Sequence, residues 1–166
     1  MAGLIHDLIE NLNGLISAYD ELTALCCEKK NYIIDNDAQN IKRMTALETT
    51  AVARVNRVDK ERINIVKDVC QVLGRKEDEL TLTQLGELIA NQPEHKEYVE
   101  VVERLKSAAA DLNEINEQNK ALITNAMEFI DFSINAVRST MDNNPAGFGR
   151  DGEEYRESTS FLDING

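Results

Sequence analysis

A chain of 166 residues with 42% hydrophobic content is long enough to bury one core, and the absence of Trp with only 8 Gly and 2 Pro favours helices over a sandwich or barrel. Its formal net charge of −12 argues against nucleic acid, where affinity rests on basic residues neutralising phosphates, and against an anionic membrane surface. No stretch reaches the about 18 consecutive apolar residues of a membrane span, and the start Met1–Asp7 lacks the basic and apolar regions of a signal peptide, so no membrane insertion and a cytoplasmic location are expected.

The charge is uneven. Residues 1–37 carry 2 basic and 7 acidic side chains, residues 38–76 carry 9 and 4, and residues 77–166 carry 7 and 19. A basic middle segment between acidic ones suits helices of mixed-sign rims packed in one molecule. The cysteines, Cys26, Cys27 and Cys70, form no C-x-x-C pattern and are odd in number, which points to reduced thiols in a reducing compartment.

The first helix is expected over residues 4–34. Leu8, Leu12, Leu15, Tyr19, Leu22, Cys26 and Ile33 fall on one seam at steps of three and four, interrupted by Lys29, and Ile5, Ile9 and Ile16 widen its early part. Asp35-Asn36-Asp37 favours a turn, with Asp37 as N-cap of the next helix, and so short a connection makes antiparallel neighbours. The second helix runs from about Ala38 to Leu73 on the seam Ile41, Met44, Glu48, Ala51, Val55, Val58, Arg62, Ile65, Val69 and Val72, with Gly74 as its stop. Glu48 and Arg62 at core-type positions read either as a polar latch to another helix or as side chains that snorkel to the rim.

Residues 75–80 form a charged linker. Thr81 caps a short helix carrying Leu82, Leu85, Leu88 and Ile89, which reverses the chain. Pro93 then opens a helix free of Gly and Pro to Met141, roughly 70 Å long at 1.5 Å per residue. One stripe follows Tyr98, Val101, Leu105, Ala108, Leu112, Ile115, Leu122, Ala126, Phe129 and Ala136, with breaks at Asn119 and Ser133. A second begins polar at Lys106, Asn113, Asn116 and Lys120 and turns apolar at Ile123, Met127, Ile130, Ile134, Val137 and Met141. One stripe suffices to pack the bundle. The second is a surface kept for a partner helix, or else the contact for the chain's own tail or a fourth helix.

After Asp142 the composition changes to turn chemistry and then to an acidic, Ser/Thr-bearing stretch with isolated Tyr155, Phe161, Leu162 and Ile164. The expected architecture is all-α: an elongated antiparallel bundle of three long helices plus one short helix over residues 1–142, with a flexible C-terminal tail over 143–166.

Catalytic and ligand patterns are missing. His6 and His95 belong to no E-x-x-H pair, and no H-E-x-x-H, P-loop or G-x-S-x-G occurs. Cys26, on the seam, reads as a small core residue rather than a nucleophile. No enzyme activity, cofactor or metal is expected.

Several runs in this order are similar to one family. They are Asp37…Ile41…Glu48 continuing to Asp59-Lys60-Glu61-Arg62, then Asn116…Asn119…Leu122-Ile123, then Ala126-Met127-Glu128-Phe129-Ile130, and last Phe148-Gly149-Arg150-Asp151-Gly152. Together they resemble the FlgN-like flagellar type III export chaperones. The resemblance implies a cytosolic helical chaperone that holds hook–filament junction proteins by their C-terminal helical segments and brings them to the export gate. It implies that the end of the long helix and the tail take the substrate: Ile123, Met127, Ile130, Ile134, Val137 and Met141 with Phe161 and Leu162. It also implies docking on the export-gate platform protein through Phe148, Gly149 and Gly152. The family usually has Tyr-Gly-x-x-Gly there; Phe148 fits a hydrophobic slot but forgoes the hydroxyl's hydrogen bond. Weak homodimerisation through the same stripe is compatible with this reading. The alternative is a structural coiled-coil or adaptor protein that homo-oligomerises or binds a regulator through the last helix.

Overall fold

The computed structural model describes residues 1–76 and 80–142, and the regular structure among them is entirely helical. Helix α1 spans Ala2–Ile34. It stops because Asn36 takes a left-handed φ of 53°, a conformation Asn tolerates better than most residues, and Asp37 N–H donates back to Tyr32 O at 2.9 Å. Asp37 is the expected N-cap of α2 (Ala38–Leu73): its carboxylate accepts from Asn40 N at 3.1 Å and Asn40 Nδ2 at 2.6 Å. These bonds hold the Asp37 carboxyl below its ordinary pKa, because they favour the charged form. Gly74, at φ 64°, ends α2 as expected, with Arg75 N–H reaching Cys70 O at 3.0 Å.

The short helix α3 (Leu82–Leu88) opens on a reciprocal capping box. Gln84 N–H donates to Thr81 Oγ1 at 3.2 Å, and Thr81 N–H donates to Gln84 Oε1 at 2.9 Å. Helix α4 spans His95–Asp142. It starts two residues after Pro93, because Pro93 and Glu94 lie in a turn in which His95 N–H donates to Gln92 O; the first helical bond is Tyr98 N–H to Glu94 O at 2.9 Å. The chain divides into two compact units at Ile123/Thr124, within α4.

In the first unit, α1 and α2 are antiparallel. Asn11 Nδ2 donates to Val58 O at one end, Arg54 pairs with Glu21, and Lys29 with Glu48 towards the other. Helices α1 and α4 are parallel: Asn13 meets Arg104, Cys26 meets Asn116 and Lys30 meets Gln118, at near-constant separations of 91, 90 and 88 residues. Successive long helices therefore alternate in direction, and α3 with its flanking turns makes the second reversal.

The main core gathers the start of α1, the end of α2, α3 and the start of α4: Ile5, Leu8, Leu12, Leu15, Val69, Leu85, Ile89, Tyr98 and Val101 with their neighbours. A smaller cluster of Leu22, Cys26, Ala51 and Ile115 follows along the bundle. Val72, read as part of the α2 seam, is exposed, and Leu73 packs on the core instead. The seam drifts because a strict heptad slips round a straight helix of 3.6 residues per turn.

The two polar interruptions of the α2 seam behave differently. Glu48 forms a half-buried ion pair with Lys29 of α1 at 2.8 Å, a latch between helices. Arg62 pairs with Asp59 of its own helix at 2.7 Å and reaches the rim.

Candidate functional site

Within α4 the last buried residue is Asn119. It occupies a break in the expected stripe, yet it belongs to the core: its Nδ2 donates to Cys26 O at 2.8 Å, a carbonyl near the end of α1. Cys26 Sγ lies 3.4 Å from Asn116 Oδ1. Burial, reinforced by the adjacent Glu48 carboxylate, pushes the Cys26 thiol up to about 12, so this sulfur is a packed core atom and not a nucleophile.

The second unit has a different character. From Thr124 to Asp142 no side chain is buried, and only Ala126, Ser133 and Met141 are partly covered. The sequence nevertheless stays apolar there. Met127, Ile130, Ile134 and Val137 are exposed at 61%, 54%, 38% and 55%, and Ile123, which closes the first unit, at 38%. These residues of the expected partner-binding stripe are thus uncovered by the chain's own described side chains, with Met141 half-covered.

Two further residues join them. Phe129, expected to pack in the bundle, is 69% exposed, and Phe132, on neither expected stripe, is 71% exposed. At about 100° per residue, the apolar side runs from Phe132 and Ala136 through Phe129 and Ala126 to Val137, Ile130, Ile134 and Met127, an arc of about 220°. Asn125, near its Phe132 edge, Ser133 and Thr140 also fall inside this arc. Ser133 Oγ donates to Phe129 O at 2.8 Å and Thr140 Oγ1 to Ala136 O at 2.9 Å, so both hydroxyls are spent on their own helix. The charged residues Glu128, Asp131, Arg138 and Asp142 share the remaining side. A spacing-three pair of Phe beside the aliphatic stripe is the signal that a single-stripe reading overlooks.

The other expected site residues, Phe148, Gly149, Gly152, Phe161 and Leu162, lie outside the described residues. Among the described residues no group of three or more His, Cys, Asp or Glu side chains could hold a metal ion, and no helix is long and apolar enough to cross a membrane.

A helical bundle that ends in an uncovered apolar helix is what a holder of helical segments needs, and the sequence model of the FlgN protein family matches residues 1–156. The chain belongs to the FlgN family. FlgN-family proteins are cytoplasmic, non-enzymatic flagellar export chaperones for hook-associated proteins, and they bind the hook–filament junction proteins. The match covers all four helices and extends past Asp142. Comparison with curated proteins and with solved structures finds no match.

Proposed function

We propose that the apolar arc of α4 is where this FlgN-family chaperone holds its client. The residues are Ile123, Met127, Ile130, Ile134, Val137 and Met141, with Phe129 and Phe132 beside them. The carrying observation is that residues 124–142 bury no side chain, although their sequence is as apolar as that of a packed helix. The client segment is an amphipathic C-terminal helix of a hook–filament junction protein, taken helix against helix. Met127 and Met141 suit such a surface, since an unbranched thioether repacks around different side chains.

On this reading residues 1–142 are the helical domain and 143–166 the tail. Phe161 and Leu162 also bind the client, and Phe148, Gly149 and Gly152 dock on the export-gate platform protein. Release follows from competition at the gate and needs no nucleotide on this chain. The free protein self-associates weakly through the same arc.

The test is the double variant Ile130→Asp/Ile134→Asp. Both residues are exposed, so helicity by circular dichroism is expected to stay intact. Affinity for the C-terminal segment of a junction protein is expected to fall by about a hundredfold or more, because two hot-spot positions would each carry a desolvated charge. Unchanged affinity in the double variant would remove the arc as the client site.

A further inference from the structure

The first unit contains an apolar cavity of about 350 Å³ that the client-binding arc does not use. It lies between α3 with its following turn and the opening turns of α4, lined by Leu82, Gly86 and Ala90 from the former and Tyr98, Val99 and Val102 from the latter. Gly86 brings α3 close to α4 here: a Cβ there would sit 3.4 Å from Cε1 of Tyr98, in ordinary contact with the ring. Tyr98 is itself fixed, because its hydroxyl donates to Leu82 O at 2.9 Å and its ring is buried. The volume falls within the roughly 300–1,000 Å³ of cavities that accept ligands.

The cavity is apolar in its walls and acidic round about. Glu87 and Glu103 also line it, both exposed, and Glu103 shares its carboxylate with Lys106 one turn on, at 3.0 Å. Residues 87–106 carry five glutamates, the others being Glu94, Glu97 and Glu100, against Lys96, Arg104 and Lys106, a local excess of two negative charges. His95 is a further lining residue. Its Nδ1 is buried with no hydrogen-bond partner among the described residues, a polar atom that a group entering the cavity could satisfy.

We propose that this cavity seats a large apolar side chain of a partner polypeptide with a Lys or Arg beside it, giving the chaperone a second protein-docking site distinct from the α4 arc. The apolar walls take the side chain out of water, and the carboxylates pair with the neighbouring cation. An acidic segment would meet like charge at Glu87 and Glu103. The chain's own residues 143–166 are such a segment, with two arginines against five acidic residues, so the fitting occupant is a separate, basic partner.

The experiment is methyl NMR on the full chain, titrated with the peptide acetyl-Lys-Leu-Phe-Lys-amide and with its counterpart acetyl-Glu-Leu-Phe-Glu-amide. The basic peptide is expected to give saturable shifts of the Leu82, Val99 and Val102 methyls, and the acidic peptide none. Glu87→Gln/Glu103→Gln alters only exposed side chains and is expected to weaken the basic peptide about fivefold, the sum of two exposed ion pairs. Ala90→Trp fills the cavity from an exposed position and is expected to abolish the shifts. Ile130→Asp/Ile134→Asp is expected to leave them unchanged, which separates this site from the client arc. Three results would each overturn the proposal: no saturable shift at Val99 and Val102, equal binding of the two peptides, or equal binding of the basic peptide to the Glu87→Gln/Glu103→Gln variant.

Discussion

Lys29 and Glu48 each interrupt an apolar seam, and they meet. Each is a blemish when its own helix is read alone. Only the α1–α2 register brings them within 2.8 Å, so the sequence marks both positions and cannot pair them. With each side chain 15% exposed, the pair is largely withdrawn from water. Lys29→Met is therefore expected to lower stability by about 1–3 kcal/mol, since it strands a partly desolvated carboxylate. Lys29→Met/Glu48→Met is expected to recover most of that loss, and urea unfolding of the three proteins checks both. The same carboxylate adds to the burial that raises the Cys26 thiol from an ordinary 9.0 to about 12. Below pH 9 the thiol is protonated in folded and unfolded chains alike. Between about pH 9 and 12 the unfolded chain gives up this proton and the folded chain keeps it, so stability falls as pH rises through that window. Cys26→Ala is expected to flatten the alkaline limb of urea midpoint against pH. An equally steep limb in Cys26→Ala would assign the loss to other groups.

At the scale of the element, the helices are the part of the fold that pattern reveals best. α2 begins and ends where Asp37 and Gly74 mark it, because a side-chain cap and a left-handed glycine are local chemistry. The start of α4 is less plain: Pro93 is compatible with a first helical turn, yet the chain spends Pro93 and Glu94 on the reversal after α3. The largest departure is along α4. Periodicity alone assigns Phe129 to the core, but periodicity reports which residues share a side, not whether a neighbour covers it. The offset of about ninety between α1 and α4 brings the end of α1, Ile34, level with the end of the first unit, so the core helix's length sets where α4 stops burying side chains. Helical segments of this length are marginal in water without packing. Amide exchange is therefore expected to be fast from Thr124 to Asp142 and slow from Tyr98 to Ile115 in the free protein. Client binding is expected to protect the former. Equal protection of both stretches in the free protein would mean that something already covers the arc.

For the molecule as a whole, two properties oppose each other. The exposed arc of Met127, Phe129, Ile130, Phe132, Ile134 and Val137 favours association, whereas a net charge of −12 keeps copies apart. The repulsion between copies is long-ranged and screened by salt, with a Debye length of about 10 Å at 0.1 M and about 3 Å at 1 M, while apolar contact is not weakened in this way. Self-association of the free chaperone should therefore be weak at low salt and strengthen as salt rises. Light scattering over a concentration series at both ionic strengths measures this. A monomer at low concentration is expected, with a mean mass that grows with protein and salt, returns to the monomer value in Ile130→Asp/Ile134→Asp, and changes to that of a one-to-one complex when client segment is added. A dimer that survives dilution at low salt and resists the client segment would give the arc to a permanent interface between copies. The structural coiled-coil reading of the last helix would then be the right one for that surface, and client binding would have to lie elsewhere on the chain.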